Sequence, residues 1–557
     1  MATGKQRAIH TPLSSSEKAQ ALDGEAGAWG LAASELVKAA GESCAGQFVK
    51  YCTQFYGGAN GHSHKLPKIV LLAGAGNNAA DGLVMIQALL AQGIAALQKI
   101  TVLTTKPLPE GKAPAKEKTV FEKTIHSIQL LNVPVMEWEP RYVKLLKQAD
   151  IVIDGITGSG LKSPLKGKAL EMVNAVMDLR QKENAPLVVS IDVPSGLFDG
   201  WQPQMPIIQA DVTLAIEPQK ICLYYPAARP MAGDIVPVRG IFPCALLEKY
   251  REASLLNWKN CAAAIPPISA DAYKYTRGLV EIWAGSPGAA GAAMLAARAA
   301  QSAGAGLVRL IVDPSLYPVL APGSGGVMVV PDSEHGKDLH GDPKPRFAPD
   351  ALLLGPGWGR GIDRAKLLEQ FLPMEKNGIP LILDADAIAL ARNIRFNGNA
   401  IITPHPGEFA EYTGLPKEQI LAEPLPLLQR YAKKNNVHIL LKGHVLFIVS
   451  PSGETGVIDG MIPALAAGGT GDVLAGFCAA IAGRVYHNRS LQRSNSRRRN
   501  LQRSAFDGFS CAAAAATLLM EAGRALAGTF FDPGELAHAA AGIAGRAWLP
   551  QKGEFYE

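Results

Sequence analysis

Short, uninterrupted apolar segments alternate with longer helical patterns along most of the chain, and this alternation constrains the fold more than any other feature. In the first half the apolar segments are 69–73, 100–103, 151–154, 187–192 and 212–216. In the second half they are 279–283, 306–312, 351–354, 379–383, 400–402, 439–441 and 446–449. Strands buried on both faces form continuous apolar runs of this kind. The pattern predicts an α/β fold with helices on both faces of parallel sheets.

The chain is long enough for more than one such unit, because it has 557 residues and domains usually contain about 100–200. The strand pattern lapses between about residues 245 and 265, in the stretch EKYREASLLNWKNCAAAIPPIS. We therefore predict two domains, an N-terminal one over residues 15–248 and a C-terminal one over residues 262–555.

Composition and charge exclude several classes of protein. The formal net charge is +6, but residues 484–504 contain seven arginines and no acidic residue, so the rest of the chain carries about 6 − 7 = −1. The basic charge therefore belongs to one segment, which we expect to be a solvated insertion, and no nucleic-acid partner is predicted. Seven cysteines without a CxxC motif argue against a disulfide framework and indicate a reducing, cytoplasmic location. No apolar run is long enough for a membrane span, and the first residues do not form a secretory signal.

Three predicted strands of the first half end in polar residues or glycine turns. The strand at 69–73 continues into GAGNNAADG, which contains Asn78, and two later strands end at Asp154 and Asp192, with Ser195 close behind. Strand ends of an open parallel sheet line its ligand crevice, and oxygen ligands of this type suit a hard cation rather than zinc. The alternative for the glycine motif is a tight structural turn. The alternative for Asp154 or Asp192 alone is an aspartate that caps the N-terminus of a helix.

These motifs resemble the NAD(P)H-hydrate epimerase family, also called the YjeF N-terminal domain, over about residues 20–245. The segments that carry the resemblance are GAGNNAADG, DGITGSGL, IDVPSG and ADVTLAIEPQK, in that order, although the glycine pair of the family is replaced by Ala79 and Ala80. The resemblance implies a Rossmann-like three-layer sandwich that binds potassium and interconverts the R and S forms of hydrated NAD(P)H.

The same resemblance implies roles for individual residues. Asn78, Asp154 and Ser195 would bind the potassium ion, and Asp192 would be the catalytic residue for proton transfer, with Lys220 at the end of the last motif. The residues expected to contact the dinucleotide are Asn77, Asn78, Ala79, Ala80, Asp81, Gly158, Ser159, Gly160, Leu161, Lys162, Ser163, Pro164 and Asp192.

The second half contains its most specific motif at LAAGGTGDVLAGF, where four small or hydroxyl residues precede Asp472 at the start of an apolar helix. Backbone N–H groups at such a helix terminus suit an oxyanion, and the helix dipole favours an ionised Asp472 that can accept a proton from a hydroxyl. TPHPGEF places His405 between two prolines, which restrict its backbone. The alternative for Asp472 is an acid at the N-terminus of a helix without a catalytic role, and the alternative for His405 is a structural histidine.

Together with WAGSPGAAG and LLLGPGWGRG, these motifs resemble the ribokinase-like family, in its ADP-dependent NAD(P)H-hydrate dehydratase branch, over about residues 265–555. The resemblance implies a ribokinase-like three-layer sandwich in which Asp472 is the catalytic base. Phosphoryl transfer of this kind uses Mg²⁺. The residues expected at the adenine nucleotide are Lys442, Gly443, His444, Val445, Leu446 and Gly471. Those expected at the hydrated dinucleotide are Ala292, Gly357, His405 and Asp472.

The two resemblances together predict a bifunctional repair enzyme. The first domain would equilibrate the epimers of hydrated NADH or NADPH, and the second would dehydrate the S form with ADP, releasing AMP and phosphate. We expect a homo-oligomer that acts on small molecules and has no membrane partner. The alternative is a ribokinase-like small-molecule kinase fused to a non-catalytic dinucleotide-binding or scaffold domain, since fold does not fix function.

Overall fold

The computed structural model of the protein describes residues 11–56, 67–107, 119–336, 348–495 and 506–550. The chain divides into two compact units, which we call the N-terminal unit, Pro12–Ala253, and the C-terminal unit, which starts at Ser254. None of the helices within the described ranges has the length and apolar character that a membrane span requires. All seven cysteines are free thiols.

The N-terminal unit is built on a seven-stranded parallel sheet with the strand order β4-β3-β2-β5-β6-β7-β9. A separate short parallel pair joins β1 to β8. The strands are β1 Thr11–Ser14, β2 Ile69–Ala73, β3 Ile100–Thr104, β4 Val135–Glu137, β5 Ile151–Gly155, β6 Leu187–Ile191, β7 Val212–Ile216, β8 Gln219–Lys220 and β9 Asp234–Val238.

Helices cover both faces of this sheet. One hydrophobic core contains residues of α1, α2, α3, α4 and α7, and the other contains residues of α5 and α6. The helices are α1 Ser16–Ala26, α2 Ala33–Tyr56, α3 Asn77–Ala91, α4 Val120–Leu130, α5 Val143–Gln148, α6 Gly167–Arg180 and α7 Cys244–Lys249. The strand order reverses between β2 and β5, and such a reversal opens a crevice at the carboxyl ends of the strands.

The C-terminal unit contains a second, mostly parallel sheet, in the order β13-β12-β11-β14-β15-β16-β17-β18-β19-β10. Only β18 runs antiparallel to its neighbours β17 and β19 among the described strands. The strands are β10 Ala253–Leu255, β11 Leu279–Trp283, β12 Leu307–Val312, β13 Met328–Pro331, β14 Ala351–Leu354, β15 Leu381–Leu383, β16 Ala400–Ile402, β17 His438–Leu441, β18 Val445–Val449 and β19 Thr455–Asp459.

Small side chains allow the helices of this unit to pack closely, and α9, α16, α17 and α18 share one core with the sheet. The helices are α8 Trp258–Ala263, α9 Ala290–Ser302, α10 Tyr317–Leu320, α11 Ile362–Lys376, α12 Asp386–Leu390, α13 Pro406–Thr413, α14 Lys417–Ala422, α15 Pro424–Asn435, α16 Thr470–Asn495, α17 Gly508–Ala525 and α18 Pro533–Trp548. The predicted α/β fold is therefore confirmed in both units.

The arginine-rich segment 484–504 differs from the expectation of a solvated insertion in its first part. Helix α16 continues through Asn495, and Arg484 is only 2% exposed. Its guanidinium carbon lies 4.1 Å from the ring centre of Trp548, a cation–π contact. The prediction is wrong for Arg484, because this position faces the core side of the helix. Residues 496–504 lie outside the described part of the chain.

Candidate functional site

A cavity of about 470 Å³ in the N-terminal unit, which we call the N-terminal cavity, lies at the carboxyl ends of β2, β5 and β6. Strand β2 turns into helix α3 at Gly74, where a Cβ atom would lie 2.0 Å from the carbonyl oxygen of Ile156. Only glycine permits this approach. The expected residues that line the cavity are Asn77, Asn78, Asp81, Gly158, Ser159, Gly160, Leu161 and Asp192.

The other residues expected at the dinucleotide do not line this cavity. Ala79 and Ala80 are buried within α3, and neither has a positive φ, so the replacement of the family's glycines causes no backbone strain. Lys162, Ser163 and Pro164 are exposed on the loop that follows Leu161. They contact a ligand of the cavity only if that ligand extends beyond it.

Asp192 is held in an unusual backbone conformation directly after β6. Its φ is +65°, which is rare outside glycine and typical of functional sites. The buried ammonium of Lys220 donates to Asp192 Oδ1 at 2.6 Å, and the backbone N–H of Ser159 donates to Oδ2 at 3.3 Å. Lys220 also donates to the carbonyl oxygen of Ile216 at 3.2 Å. The carboxylate is thus fixed at the edge of the cavity by charge-assisted hydrogen bonds.

Asp154, Ser195 and Asn78 meet behind the cavity. Asp154 is fully buried and accepts hydrogen bonds from Ser195 Oγ at 2.5 Å, Ser195 N at 2.9 Å and Ser190 Oγ at 2.7 Å. Burial raises the pKa of Asp154, and no described residue forms an ion pair with it. Asn78 donates to the carbonyl oxygen of Thr157 at 2.9 Å, while its own Oδ1 is buried without a partner.

These oxygens fit a bound monovalent cation. A buried carboxylate without a counter-charge is costly, and an amide oxygen without a donor costs about 1–3 kcal/mol. A hard cation coordinated by Asn78 and Ser195 beside Asp154 would relieve both costs. The donor set therefore suits a hard cation, as the polar strand ends predict, and is compatible with the potassium ion that the family resemblance implies.

Two further carboxylates face the N-terminal cavity. Asp81 projects from α3, and burial together with the nearby Asp192 raises its pKa well above the usual value. Asp23 projects from α1, and the surrounding cavity walls raise its pKa to about 6, with Lys220 opposing the shift and Asp192 adding to it. The cavity thus combines one lysine with three aspartates.

In the C-terminal unit, polar residues follow the adjacent strands β15, β16 and β17. The ammonium of Lys442 lies 2.6 Å from Asp384 Oδ1 and 3.6 Å from Glu408 Oε2. Thr403 Oγ1 donates to the same Asp384 oxygen at 2.7 Å. Together with Asp472 from the first turn of α16, we call Asp384, Glu408 and Lys442 the C-terminal cluster.

Asp472 is a carboxylate of this cluster with a raised pKa. Burial raises its pKa to about 6, Asp384 and Glu408 add to the shift, and Lys442 opposes it. Burial and like charges therefore oppose the helix dipole, which favours the ionised form of Asp472. Near neutral pH the group can exchange a proton readily, as a general base must.

His405 has a structural role in this fold. Its Nδ1 accepts hydrogen bonds from the backbone of Gly407 at 3.0 Å and Glu408 at 3.1 Å, and Glu408 Oε2 accepts from the backbone N–H of His405 at 2.7 Å. This capping box begins helix α13. The histidine ring is more than half exposed, at 57%, so it also remains accessible to a ligand.

The loops expected to bind nucleotide and dinucleotide are partly brought together. A Cβ atom at Gly471 would lie 3.4 Å from Lys442 Nζ, so the glycine loop and this lysine are neighbours. A Cβ atom at Gly357 would lie 3.3 Å from that of Ala292, and Gly357 has a φ of +57°. Gly443 and His444 are exposed, whereas the side chains of Val445 and Leu446 are buried in β18.

The N-terminus of α16 offers donors for an anion. Thr470 Oγ1 is buried without a hydrogen-bond partner, and the backbone N–H groups of the first turn have no carbonyl of their own helix to bond. Within the described ranges, no group of three or more histidine, cysteine or acidic residues forms a metal cage. One or two carboxylates nevertheless suit Mg²⁺ that is carried on phosphates.

The structure adds three residues to the sequence-based candidates. Asp23, Asp384 and Glu408 were not singled out, although each lies beside a predicted catalytic aspartate. The aspartate of the DAD sequence after β15 could have been noticed as a polar strand end. No signal marks Asp23, because only the packing of α1 brings it to the cavity.

Comparison with known proteins identifies both halves of the chain. Residues 33–222 match the family described as YjeF-related protein N-terminus, and residues 280–527 match the family described as NAD(P)H-hydrate dehydratase. The structure of an ADP/ATP-dependent NAD(P)H-hydrate dehydratase from Bacillus subtilis, co-crystallised with ATP and Mg²⁺, is 24% identical to this chain, with a TM-score of 0.43. The match covers 53% of this chain and 98% of that protein.

Full-length relatives contain both halves in the same order. The bifunctional NAD(P)H-hydrate repair enzyme Nnr of Moorella thermoacetica is 32% identical over 75% of this chain and 79% of its own length. The protein of the same name from Salinibacter ruber is 28% identical over 86% of this chain and 89% of its own length. The chain therefore belongs to the family of bifunctional NAD(P)H-hydrate repair enzymes.

Proposed function

We propose that the N-terminal cavity is the epimerase site and the C-terminal cluster the dehydratase site of this bifunctional NAD(P)H-hydrate repair enzyme. One observation carries the assignment. In each unit a lysine pairs with a buried aspartate at a strand end, beside a second aspartate whose pKa is about 6. Titratable groups shifted toward neutrality in this way are typical of catalytic sites. Family membership disfavours the alternative of a small-molecule kinase with a scaffold domain.

At the epimerase site, Asp192 is the proposed residue for proton transfer to and from the hydroxyl group of the hydrated ring. Its position at the cavity edge and its fixed hydrogen bonds with Lys220 and Ser159 support this role. Asn77, Asp81 and the 158–161 loop are proposed to hold the dinucleotide, because they line the same cavity. Lys220 keeps the Asp192 carboxylate oriented during the reaction.

Potassium is the proposed ion of Asn78, Asp154 and Ser195. When bound, it supplies the positive charge that the buried Asp154 lacks. The orphaned Asn78 Oδ1 and the uncompensated Asp154 support this assignment. Ser195 Oγ also receives a hydrogen bond from the backbone N–H of Thr157 at 2.9 Å, so the ligands brace the loop that lines the cavity.

At the dehydratase site, Asp472 is the proposed base for the hydroxyl of the S-hydrate. The hydroxyl oxygen bonds to the β-phosphorus of ADP as the bond to AMP breaks, and Asp472 accepts the proton. The phosphate then leaves with the electron pair of the carbon–oxygen bond, and the lone pair of the ring nitrogen stabilises the cation that remains. Loss of a proton from the neighbouring ring carbon restores the double bond. The phosphates are proposed to bind to Lys442, Gly471, Thr470 and the first turn of α16.

Mg²⁺ is the proposed partner of ADP, and Glu408 of the cluster is a candidate to hold it. It supplies charge neutralisation on the phosphate oxygens. Glu408 lies beside Lys442, and within the described ranges the protein side chains alone form no metal cage. Both observations support a metal that arrives with the nucleotide. The further proposed ligand contacts are Gly443, His444, Ala292, Gly357 and His405. The side chains of Val445 and Leu446 are buried, so these two residues are limited to backbone contacts.

The function is tested by incubating the purified full chain with the separated epimers of hydrated NADH. Without nucleotide, the R form should convert to the S form in potassium buffer. With ADP and Mg²⁺, the characteristic absorbance of NADH should appear. A protein that phosphorylates a sugar or vitamin but leaves the hydrate unchanged would contradict the proposal. A cytoplasmic location is a further proposal, which the free cysteines support. A homo-oligomeric state is also proposed and can be tested by light scattering.

A further inference from the structure

Asp23 occupies a position in the N-terminal cavity that the proposed roles leave unexplained. It projects from helix α1 into the cavity, its side chain is exposed there, and no described residue forms a hydrogen bond or ion pair with it. It therefore neither caps a helix nor stabilises the fold by a polar contact. A free carboxylate in a cavity is available to a ligand.

The helix that carries Asp23 is tied to the same loop as Asp192. Gln20, one turn before Asp23, donates to the carbonyl oxygen of Ser159 at 2.6 Å, and the N–H of Ser159 donates to Asp192. The start of α1 is fixed independently, because Ser16 N donates to Asp199 Oδ2 at 2.8 Å. Asp23 and Asp192 thus reach the cavity from two different elements, the helix and the end of β6, with the loop between them.

Epimerisation by loss and return of the hydroxyl group requires proton transfer on both faces of the ring. The carbon–oxygen bond breaks, the hydroxyl leaves as water with a proton from an acid, and the ring nitrogen shares the positive charge. A water molecule then forms a new carbon–oxygen bond on the opposite face and gives a proton to a base. No electrons are gained or lost, and one carboxyl group on each face balances the protons.

We infer that Asp23 is a second catalytic residue of the N-terminal cavity, which transfers a proton on the face of the hydrated ring opposite that served by Asp192. This inference rests on the proposed epimerase function. Asp81 is the weaker candidate, because it is 7% exposed and lies on α3 among apolar residues. Asp23, by contrast, can reach both substrate and solvent.

The charges around Asp23 suit alternation between acid and base. Lys220 and Asp192 face it from the strand ends, and Asp81 on α3 interacts with it as well. The cavity walls raise the pKa of Asp23 to about 6, with Lys220 opposing the shift and Asp192 adding to it. Near neutral pH both protonation states are therefore accessible. A group with this property can release a proton in one direction of the reaction and accept one in the other.

The decisive variant is Asp23→Asn in the full chain, assayed without ADP so that only epimerisation is measured. We expect kcat to fall about 10²–10⁴-fold while KM stays within about threefold. The ionisation near pH 6 should disappear from the rate profile. Glu17→Gln is the matched control, because Glu17 is an exposed acid of the same helix outside the cavity, and it should retain the wild-type rate.

An isotope experiment tests the two-face chemistry directly. In H₂¹⁸O the wild-type enzyme should place the label in the epimer it forms, because the hydroxyl leaves as water. Asp23→Asn should still exchange the oxygen of one epimer, since Asp192 continues to act on its own face, while inversion is slowed. An unlabelled product from the wild-type enzyme would overturn the inference.

The remaining outcomes separate this inference from the function on which it rests. If the wild-type chain does not interconvert the epimers, the proposed epimerase function fails. If the wild type is active and Asp23→Asn keeps kcat within about threefold, only the role of Asp23 is refuted. A rise in KM with unchanged kcat would likewise refute it, because Asp23 would then only bind the substrate.

Discussion

The N-terminal cavity and the C-terminal cluster share an arrangement despite belonging to different sheets. In the first, Lys220 contacts Asp192 at 2.6 Å near Asp23, and in the second, Lys442 contacts Asp384 at 2.6 Å near Asp472. In both, the nearby aspartate has its pKa raised to about 6, mainly because the surrounding protein reduces its solvation, while the lysine opposes the shift. In both sites, an acid beside a lysine–carboxylate pair at a strand end thus has a pKa close to neutral pH.

The surroundings of the two pairs differ, and the difference suits different ligands. Behind the N-terminal cavity, Asp154 has no described cationic partner and Asn78 Oδ1 no donor, an environment that lacks positive charge. Around Lys442, the free hydroxyl of Thr470 and the first turn of α16 offer donors instead. The first environment favours a metal cation, and the second favours a phosphate.

The largest effect should come from Asp472→Asn, which separates the two reactions. The amide keeps the shape of the side chain but cannot accept a proton, so ADP-dependent formation of NADH should fall about 10²–10⁴-fold. Epimerisation without nucleotide should be unchanged. Asp363→Asn, at an acid whose side chain is 99% exposed on α11, is the control. A variant with half the wild-type dehydratase rate would show that Asp472 is not the base.

The next effect concerns potassium and should appear only in the N-terminal unit. In Asp154→Asn the buried negative charge is removed, so the potassium concentration for half-maximal epimerisation should rise at least about tenfold. The measurement is the epimerase rate against potassium at constant ionic strength, with choline as the replacement ion. An unchanged potassium curve would contradict the proposed ion site. The ADP-dependent rate at saturating S-hydrate should not change.

The coupling within the C-terminal cluster predicts a smaller shift of the pH profile. Asp472 must be ionised to act as a base, so the dehydratase rate should rise with pH through about 6. Asp384 raises the pKa of Asp472, and Asp384→Asn should therefore move this midpoint to lower pH, by about one unit. The profile is measured at saturating ADP, again with Asp363→Asn as control. A midpoint that stays in place, or moves upward, would show that Asp384 does not act on Asp472.

The sequence predicted the central strands well and the marginal ones poorly. The limits of β2, β7, β11, β14 and β16 coincide with apolar runs, because these strands are buried on both faces. The short strands β4, β9 and β13 were missed, since their residues are largely half-buried and lack a continuous apolar pattern. Helix α3 begins at Asn77, within the segment predicted as a glycine turn, because the two alanines that follow favour helix.

The candidate sites show the same division between local and tertiary information. Asp192 and Asp472 were found because each stands beside a local motif. In the structure Asp192 belongs to one lysine–carboxylate pair, and Asp472 lies beside the other. The pKa of Asp472 and the burial of Arg484 could not be predicted, because both depend on neighbours distant in sequence, Asp384 and Trp548. Asp23 is the clearest case, since nothing local distinguishes it from any exposed acid on a helix.

The smallest effect is expected from removal of residues 496–505, which lie outside the described ranges. Asp472 lies in the first turn of α16 and the helix continues to Asn495, so about 23 residues at 1.5 Å each separate Asp472 from the start of the deleted segment by about 35 Å. This distance is about four Debye lengths at physiological salt. The charge of the segment should therefore not reach the nucleotide along the helix.

In a variant with a short Gly/Ser linker in place of 496–505, the KM for ADP should change by less than about threefold at physiological salt, and epimerisation should be unaffected. A larger loss of ADP affinity that disappears in high salt would show that the segment approaches the C-terminal cluster by another route. The C-terminal unit would then have a basic contribution to phosphate binding for which the N-terminal cavity has no counterpart.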